Sequence, residues 1–318
     1  MPFDAATRNR IYALPSQSKP SGGGTVRWDL PRTGFLARIF LKVTGSIEGT
    51  LSDPNPLGKA SVIRRVRLVA NNGLDIVNIS GPGYHYLLRP LLDTGADHLP
   101  YTDARKAVDT GSFDISMVIP VALNPRDAIG LILLQSEQTL VTLIIDFEQD
   151  ANVATGATVT ATVTPYVEIF TVPADRKDWP ALSFVHQILE DQQQIPSAGD
   201  YAYTWPRGPV YLQTVHGLGI GVNGSDVWSR ALVQVNQADN IYTVTPELAD
   251  MWFAFSTLGQ TRLKGTVPID LIGNAGFGVY DSLRDTIQSG NLTDLRTLIT
   301  ATGSGTLFTV RRMLIPLA

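Results

Sequence analysis

The chain has 318 residues, of which 44% are apolar and 17% are charged, and its formal net charge is −4. This apolar content suffices for a packed core and excludes a disordered protein, while the length suits about two domains. The acidic balance argues against a general nucleic-acid coat, because neutralising phosphates requires a surplus of Lys and Arg. The absence of cysteine excludes disulfides, thiolate metal sites and cysteine nucleophiles.

Residues 1–24 are predicted to form a flexible N-terminal arm. They end in Pro20-Ser21-Gly22-Gly23-Gly24, which is typical of flexible linkers, and they carry the separated cations Arg8, Arg10 and Lys19. The most apolar stretch, residues 129–147, is interrupted by polar residues and is too short to span a bilayer. We therefore expect a soluble protein whose arm orders only against neighbouring molecules.

Short β-type runs separated by Gly, Pro and Asn follow the arm. The threonines at 158, 160, 162 and 164 alternate with Val159, Ala161 and Val163, which predicts a strand with one polar face. Asn71-Asn72-Gly73 is a strong hairpin signal. The other predicted strands are 35–43, 61–70, 74–79, 112–121, 139–147, 209–215, 231–235, 241–245, 266–272 and 306–315. Many short strands with few helices are typical of β-sandwiches.

Two segments depart from this pattern. Residues 179–190 place apolar side chains at helical spacing, from Leu182 through Val185 to Ile188 and Leu189, and they precede Gln-rich sequence and a proline. Residues 280–300 also predict a helix, broken near a glycine. The first of these segments would link the two halves of the chain.

Self-similarity indicates that the two halves are duplicates. Seven identities recur at an offset of 291 − 124 = 167 over the 19 positions from Asn124 to Thr142, including Asn124 with Asn291 and Thr139 with Thr306. Asn71 and Ile76 recur as Asn236 and Ile241 at an offset of 236 − 71 = 165. Trp28-x-x-Pro31-Arg32 and Trp205-Pro206-Arg207 open the two halves alike.

The predicted architecture is therefore all-β, with two tandem β-sandwiches joined by a short helical linker. We place the arm at 1–24, the first sandwich at 25–172, the linker at 173–200 and the second sandwich at 201–318.

With its repeated halves, the chain resembles the double jelly-roll major capsid proteins of tailless icosahedral bacterial viruses with an internal membrane. The residues that carry the resemblance are Gly34 to Thr50 and Ala60 to Gly81, together with the duplication itself. The resemblance implies that the two sandwiches are tandem eight-stranded jelly rolls. It further implies a homotrimer whose six jelly rolls form a pseudo-hexagonal capsomer. It also implies a virion protein, made in the host cytoplasm, whose partners are neighbouring capsomers, vertex proteins and a membrane under the shell. It implies no specific nucleic acid, cofactor or metal.

Two Asp-Thr-Gly sequences raise a remote alternative, an aspartic protease. Asp93-Thr94-Gly95 and Asp109-Thr110-Gly111 are only 109 − 93 = 16 residues apart, within one predicted loop. A single-chain protease takes its two carboxylates from separate lobes. We interpret both sequences as turns, and we expect no catalytic residue and no enzyme.

Three further patterns have structural interpretations. Gly219-x-Gly221-x-x-Gly224 matches a dinucleotide-binding pattern but precedes another β-type run instead of a helix. The histidines, which lack ligand-like spacing and predict no metal site, are His85, His98, His186 and His216. Arg64-Arg65-x-Arg67 and Arg311-Arg312 are interpreted as solvated faces or intersubunit ion pairs, with nucleic acid or anionic lipid as the alternative.

Aromatic residues near predicted turns support a second function, that of a viral tail or receptor-binding adhesin that binds sugars. They are Tyr84, Tyr86, Tyr101, Trp179, Trp205, Trp228 and Trp252. Core or intersubunit packing is the commoner role of such residues. We therefore favour the structural capsid protein over the adhesin.

Overall fold

The computed structural model describes residues 3, 6–71, 73–92, 103–123, 129–135, 140–180, 182–236, 239–256, 261–272 and 286–316. The chain forms two compact units. The first comprises Met1–Gly81, Leu99–Leu189 and Leu314–Ala318, and the second comprises Pro82–His98 and Glu190–Met313. Within the described residues, no helix has the length and apolarity needed to cross a membrane.

Strands make up most of both units. Those before residue 172 are β1 (Asn9–Ala13), β2 (Gln17–Ser18), β3 (Gly24–Asp29), β4 (Phe35–Ser52), β5 (Ile63–Ala70), β6 (Leu74–Ile79), β7 (Gly111–Pro120), β8 (Ile132–Leu133), β9 (Val141–Phe147) and β10 (Thr155–Phe170). Those after it are β11 (Phe184–Ile195), β12 (Gly199–Thr204), β13 (Val210–Leu218), β14 (Trp228–Val235), β15 (Asp239–Val244), β16 (Thr266–Asp270), β17 (Ile287–Gln288), β18 (Leu295–Ala301) and β19 (Gly305–Pro316).

The helices are short. The α-helices are α1 (Arg89–Leu92), α2 (Asp150–Val153) and α3 (Pro246–Ser256), and a π-helical turn, Gly83–Leu88, precedes α1. Single 3₁₀ turns occupy Gly58–Val62, Asp103–Arg105, Arg176–Asp178 and Ser289–Asn291.

The first unit is an eight-stranded sandwich with two short additional strands. One sheet has the order β1-β10-β4-β7, and β2 and β8 pair with β10 and β4. The other sheet has the order β3-β9-β5-β6. In β10, Val159, Ala161 and Val163 are buried while Thr158 and Thr160 are exposed, which confirms the predicted alternation.

The second unit repeats this topology strand for strand. Its sheets have the orders β11-β19-β13-β16 and β12-β18-β14-β15, and the short β17 pairs with β13 as β8 pairs with β4. By position in the sheets, β11 therefore corresponds to β1, β15 to β6, and β18 to β9. Two units with one topology confirm the predicted pair of jelly rolls.

Asn71 and Asn236 occupy equivalent turns, as their offset of 165 predicts. Both have a φ of +51° and both follow the first strand of a hairpin. The amide of Asn71 donates to the carbonyl oxygen of Leu140 at 2.8 Å, immediately before β9, and that of Asn236 donates to Asp294 at 2.9 Å, immediately before β18. A register shift follows Leu68 in one hairpin and Val233 in the other, again 165 residues apart.

Asn236→Ala is expected to lower the free energy of unfolding by about 1–2 kcal/mol. Alanine disfavours the positive φ, and the change removes the oxygen that accepts from the Thr293 amide at 3.0 Å and hydroxyl at 2.8 Å. Urea unfolding measures the loss, and Asn71→Ala should give a similar one in the first unit. Asn236→Gly is the control, because glycine tolerates the φ and loses only the hydrogen bonds. An unchanged free energy of unfolding in Asn236→Ala would contradict this account.

The identities at an offset of 167 do not mark equivalent positions. Ile132 lies in β8 while Ile299 lies in β18, the counterpart of β9. Leu140 precedes β9, whereas Leu307 lies in β19, the counterpart of β10. This interpretation was wrong because strands of similar composition and period 2 coincide by chance at many offsets. Asn124, Asp127 and Thr139 lie outside the described residues.

The arm is part of the first sandwich. β1 pairs along its length with β10, from Asn9 opposite Phe170 to Ala13 opposite Tyr166, and β2 pairs with the same strand. Residues 20–23 form a turn, since Gly23 donates to the carbonyl of Pro20 at 3.2 Å. The prediction of an unattached arm is therefore corrected for the described residues. The proposed boundaries at 24, 172 and 200 stay predictions.

Both predicted helices are corrected as well. Residues 184–195 form strand β11, and the described residues 286–301 contain β17, a 3₁₀ turn and β18. The helical spacing in β11 arose because Val185, His186, Gln187 and Ile188 are all buried, so the strand has no period-2 pattern. α3, which is the one helix longer than two turns in the described residues, was not predicted from the sequence.

Candidate functional site

The Asp-Thr-Gly sequence at 109–111 lies at the start of β7. The Asp109 carboxylate is mostly exposed and lies 2.6 Å from the ammonium of Lys59, whose side chain is buried. A carboxylate paired with a lysine differs from a dyad of carboxylates that share one proton. Asp93 lies outside the described residues.

The glycine-rich sequence at 219–224 forms a loop that leads into a strand. Gly219 has a φ of +83°, and its carbonyl accepts from the amide of Ser225 at 3.0 Å. The next element is β14, so no helix N-terminus is present to bind a pyrophosphate. The interpretation as a structural loop is confirmed.

A buried arginine that the sequence did not single out anchors this loop. Arg262 donates to both carboxylate oxygens of Asp226 at 2.9 Å, to Asp250 of α3 at 2.8 Å and to the carbonyl of Thr266 at 2.7 Å. Its guanidinium also lies 5.6 Å from the centre of the Trp228 ring. Arg262 therefore ties the loop, α3 and β16 together.

The electrostatics of this cluster are those of a structural ion pair. Burial alone would raise the pKa of Asp226, but the hydrogen bonds from Arg262 and Gly265 hold it below its ordinary value. The same balance lowers the pKa of Asp250, where Lys264 donates at 2.9 Å. All four charged groups, Arg262, Asp226, Asp250 and Lys264, are paired within the cluster, so none of them is poised for proton transfer.

The histidines lie apart. His186 is buried and contacts the carbonyl of Val121 through Nδ1 at 3.2 Å, while His216 is buried between two threonines. His85 is buried beside Tyr84, and His98 lies outside the described residues. Within the part of the chain that the structure describes, no group of three His, Asp or Glu side chains could hold a metal ion.

The arginines of β19 are interior, which corrects their interpretation as solvated or intersubunit cations. Arg311 and Arg312 are both buried. Arg311 donates to Asp191 at 2.6 Å, and Arg312 donates to Gln213. Burial, reinforced by the hydrogen bond to Asp191, raises the pKa of Tyr203, so the phenol remains a donor to that carboxylate. Arg67 of β5 pairs with Asp146 at 3.2 Å.

The aromatic residues that motivated the adhesin mostly pack inside. Trp205, Trp228, Tyr84 and Tyr86 are buried, and Trp179 packs edge-to-face on Phe35 with the ring centres 5.6 Å apart. Sugar binding needs exposed aromatic faces, so these residues give it no support. Tyr101 lies outside the described residues.

A groove of about 400 Å³ crosses the polar face of the first sandwich. Half of its lining residues are serine or threonine, and the charged groups Lys19 and Asp150 pair with each other at 2.5 Å. The threonine and serine hydroxyls also pair across strands, as Ser46 does with Thr160 at 2.9 Å. The groove contains no nucleophile activated by a base.

The exposed strand edges are the remaining candidate for a functional surface. β1 and β15 each lie at the outer edge of a sheet, and most of their residues are exposed. The exposed large apolar residues of the described chain are Ile11 in β1, Leu74 in β6, Phe184 in β11, Ile241 in β15, and Leu248 and Met251 in α3. Exposed apolar residues at a strand edge indicate a surface for binding another chain.

Comparison with known proteins identifies the fold. No protein-family profile matches the sequence, and no curated protein matches it significantly. Among solved structures, the chain is similar to the major capsid protein of Sulfolobus turreted icosahedral virus, with a TM-score of 0.73, 12% identity and 97% of each chain covered. It is also similar to the capsid of PBCV-1, with a TM-score of 0.65, 14% identity and coverage of 97% of this chain and 94% of the other.

The major capsid protein P2 of bacteriophage PM2 has the same architecture. Its TM-score is 0.59 at 14% identity, and 98% of each chain is covered. At such identities the likeness establishes the fold alone. The chain has the double jelly-roll fold along nearly its whole length.

Proposed function

We propose that this chain is the major capsid protein of an icosahedral virion. The observation that carries the proposal is the repetition of one eight-stranded topology in both units, over the length of the chain. Three such chains supply six similar sandwiches, which suits a threefold capsomer in a near-hexagonal lattice. The capsid proteins with this fold support the same role.

The role is structural and not catalytic. The charged clusters of the described chain are paired internally, and the exposed features are strand edges and apolar side chains. The partners are further copies in the same and neighbouring capsomers, vertex proteins, and a membrane beneath the shell. The location is the virion, after synthesis in the host cytoplasm.

The purified chain is expected to form a homotrimer with a mass near three times 34.5 kDa, because a double sandwich completes a sixfold-like ring only with two further copies. Light scattering coupled to size exclusion measures this mass. In purified particles the chain should be the most abundant protein band and should form shells with threefold capsomers. A monomer at all concentrations, or a scarce band located at a tail or spike, would contradict the proposal and favour the adhesin.

A further inference from the structure

The edge strand β6 of the first unit is covered by a parallel strand. The first half of β11 pairs with it, with Ile188 opposite Val77 and Leu189 opposite Asn78. The side-chain amide of Gln187 adds a hydrogen bond to the carbonyl of Asp75 at 2.8 Å. The edge that the jelly-roll topology leaves open in this unit is therefore closed by a strand of the β11 type.

The corresponding edge in the second unit is open within the described residues. β15, the counterpart of β6, pairs with β14 on one side only. β1, the counterpart of β11, pairs with β10 on one side only. In the described chain, the duplication therefore leaves the outer edges of β15 and β1 without a neighbouring strand.

We infer that β15 of one copy pairs in parallel with β1 of the next copy. This inference rests on the proposed trimer and specifies the surfaces that form it. Because the two surfaces differ, the contact is heterologous, and three such contacts close a ring. Each contact would repeat between chains the strand pairing that β6 and β11 make within one.

The charges on the two strands are complementary. Arg8 and Arg10 are exposed at the start of β1, and neither has an acidic partner in the described chain. Asp239 at the start of β15 is exposed and has no basic partner in that part of the chain. Parallel pairing brings the starts of the two strands together, so these cations meet Asp239.

The apolar residues are complementary as well. Ile11 is 60% exposed in β1 and Ile241 is 45% exposed in β15. Leu248 and Met251 enlarge the apolar surface on the helix that directly follows β15. An edge strand with an exposed isoleucine is prone to aggregation unless a partner covers it. The next copy of the chain is the partner that matches it in strand direction and in charge.

Engineered cysteines test the pairing without interference, since the chain has none of its own. Ile11→Cys in one preparation is mixed with Asp239→Cys, Ile241→Cys or Thr243→Cys in another, and the assembled protein is oxidised. We expect a disulfide-linked dimer from the position in register, and a covalent trimer when both cysteines are in one chain. Leu74→Cys, which replaces a side chain 42% exposed on β6, is the matched control and should not cross-link.

Several outcomes would overturn the inference. If the chain with both cysteines forms its disulfide within a single monomer, the contact lies within one chain. Cross-linked products of more than three chains would place the contact between capsomers. Absence of any cross-link in a chain whose unmodified form is a trimer would refute this pairing and leave the proposed function standing. An unmodified chain that never trimerises would overturn both.

Charge reversal gives an independent test. Arg10→Glu and Asp239→Arg are each expected to weaken trimerisation at least ~10-fold at low salt, since each places like charges together. Their combination should restore assembly towards the level of the unmodified chain. Failure of the double variant to recover, while each single variant stays folded by circular dichroism, would refute the ion pair.

Discussion

A variant that lacks residues 1–24 is expected to lose most of the stability of the first unit. Phe3 is 5% exposed and packs edge-to-face on Phe35 and Phe170, with ring centres 5.9 and 5.7 Å away. Loss of one buried phenylalanine costs about 3–5 kcal/mol, against about 5–15 kcal/mol for a whole domain. The deletion also removes β1 and exposes the edge of β10.

The deletion also removes the partners of buried polar groups. Asn9 donates to Glu168, whose side chain is buried and which also pairs with Arg38. Burial alone would raise the pKa of Glu168, and the hydrogen bonds from Arg38 and Asn9 hold it below its ordinary value. The indole of Trp28 donates to the carbonyl of Pro15 at 2.7 Å and would lose this acceptor. An unsatisfied buried group adds about 1–3 kcal/mol to the loss.

Graded truncation separates these contributions. Removal of residues 1–6 deletes the Phe3 anchor, removal of 1–14 also deletes β1, and removal of 1–24 deletes β2 and the Lys19–Asp150 pair as well. Thermal unfolding should show a lower Tm at each step. Equal Tm values for the full chain and the shortest variant would contradict this account and favour the flexible arm that its composition suggested.

The N-terminal strand was missed for a physical reason. β1 has the sequence Asn-Arg-Ile-Tyr-Ala and is exposed along most of its length, so burial imposes no apolar alternation on it. Its conformation is determined by pairing with β10, about 160 residues away in the chain. β11 was missed for the opposite reason, since its first half is buried on both faces. Half-buried strands such as β10 were predicted correctly because one face packs and the other is solvated.

The duplication was predictable from a turn more than from matched strands. An asparagine in the left-handed region satisfies a backbone requirement that few residues meet, so Asn71 and Asn236 carry information. Apolar residues in strands meet only the demand for alternation and match at several offsets. Arg262 gave no signal in the sequence, because its carboxylate partners Asp226 and Asp250 are recognisable only after folding.

His216 illustrates another feature that only the fold reveals. Its Nδ1 lies 2.8 Å from the hydroxyl of Thr309 and its Nε2 lies 3.1 Å from that of Thr297, which also accepts from the indole of Trp205 at 2.8 Å. The ring is fully buried, with Arg311 as the nearby charge. A hydroxyl can either donate or accept a hydrogen bond, so the two threonines can bond both nitrogens of a neutral imidazole. No carboxylate is among the hydrogen-bond partners of the ring to stabilise a charged imidazolium.

The free energy of unfolding is therefore expected to fall in mild acid because of this one side chain. Burial, reinforced by the charge of Arg311, lowers the pKa of His216 from 6.5 to about 3. Between these values the unfolded chain takes up a proton that the folded chain does not, so the free energy of unfolding falls as the pH falls. The slope is at most about 1.4 kcal/mol per pH unit, or on the order of 4 kcal/mol by pH 3.

His216→Gln should flatten this dependence between pH 6.5 and pH 5, a window above the range in which most carboxylates titrate. Urea unfolding at several pH values gives the slope for each variant, and the imidazole NMR signals of the native chain should stay those of the neutral ring at pH 4. Thr309→Val is the control, because it removes one hydrogen bond but leaves the ring buried, and burial is the larger cause of the lowered pKa. Protonation of His216 near pH 6 in the folded chain, or an unchanged slope in His216→Gln, would show that the acid dependence arises elsewhere.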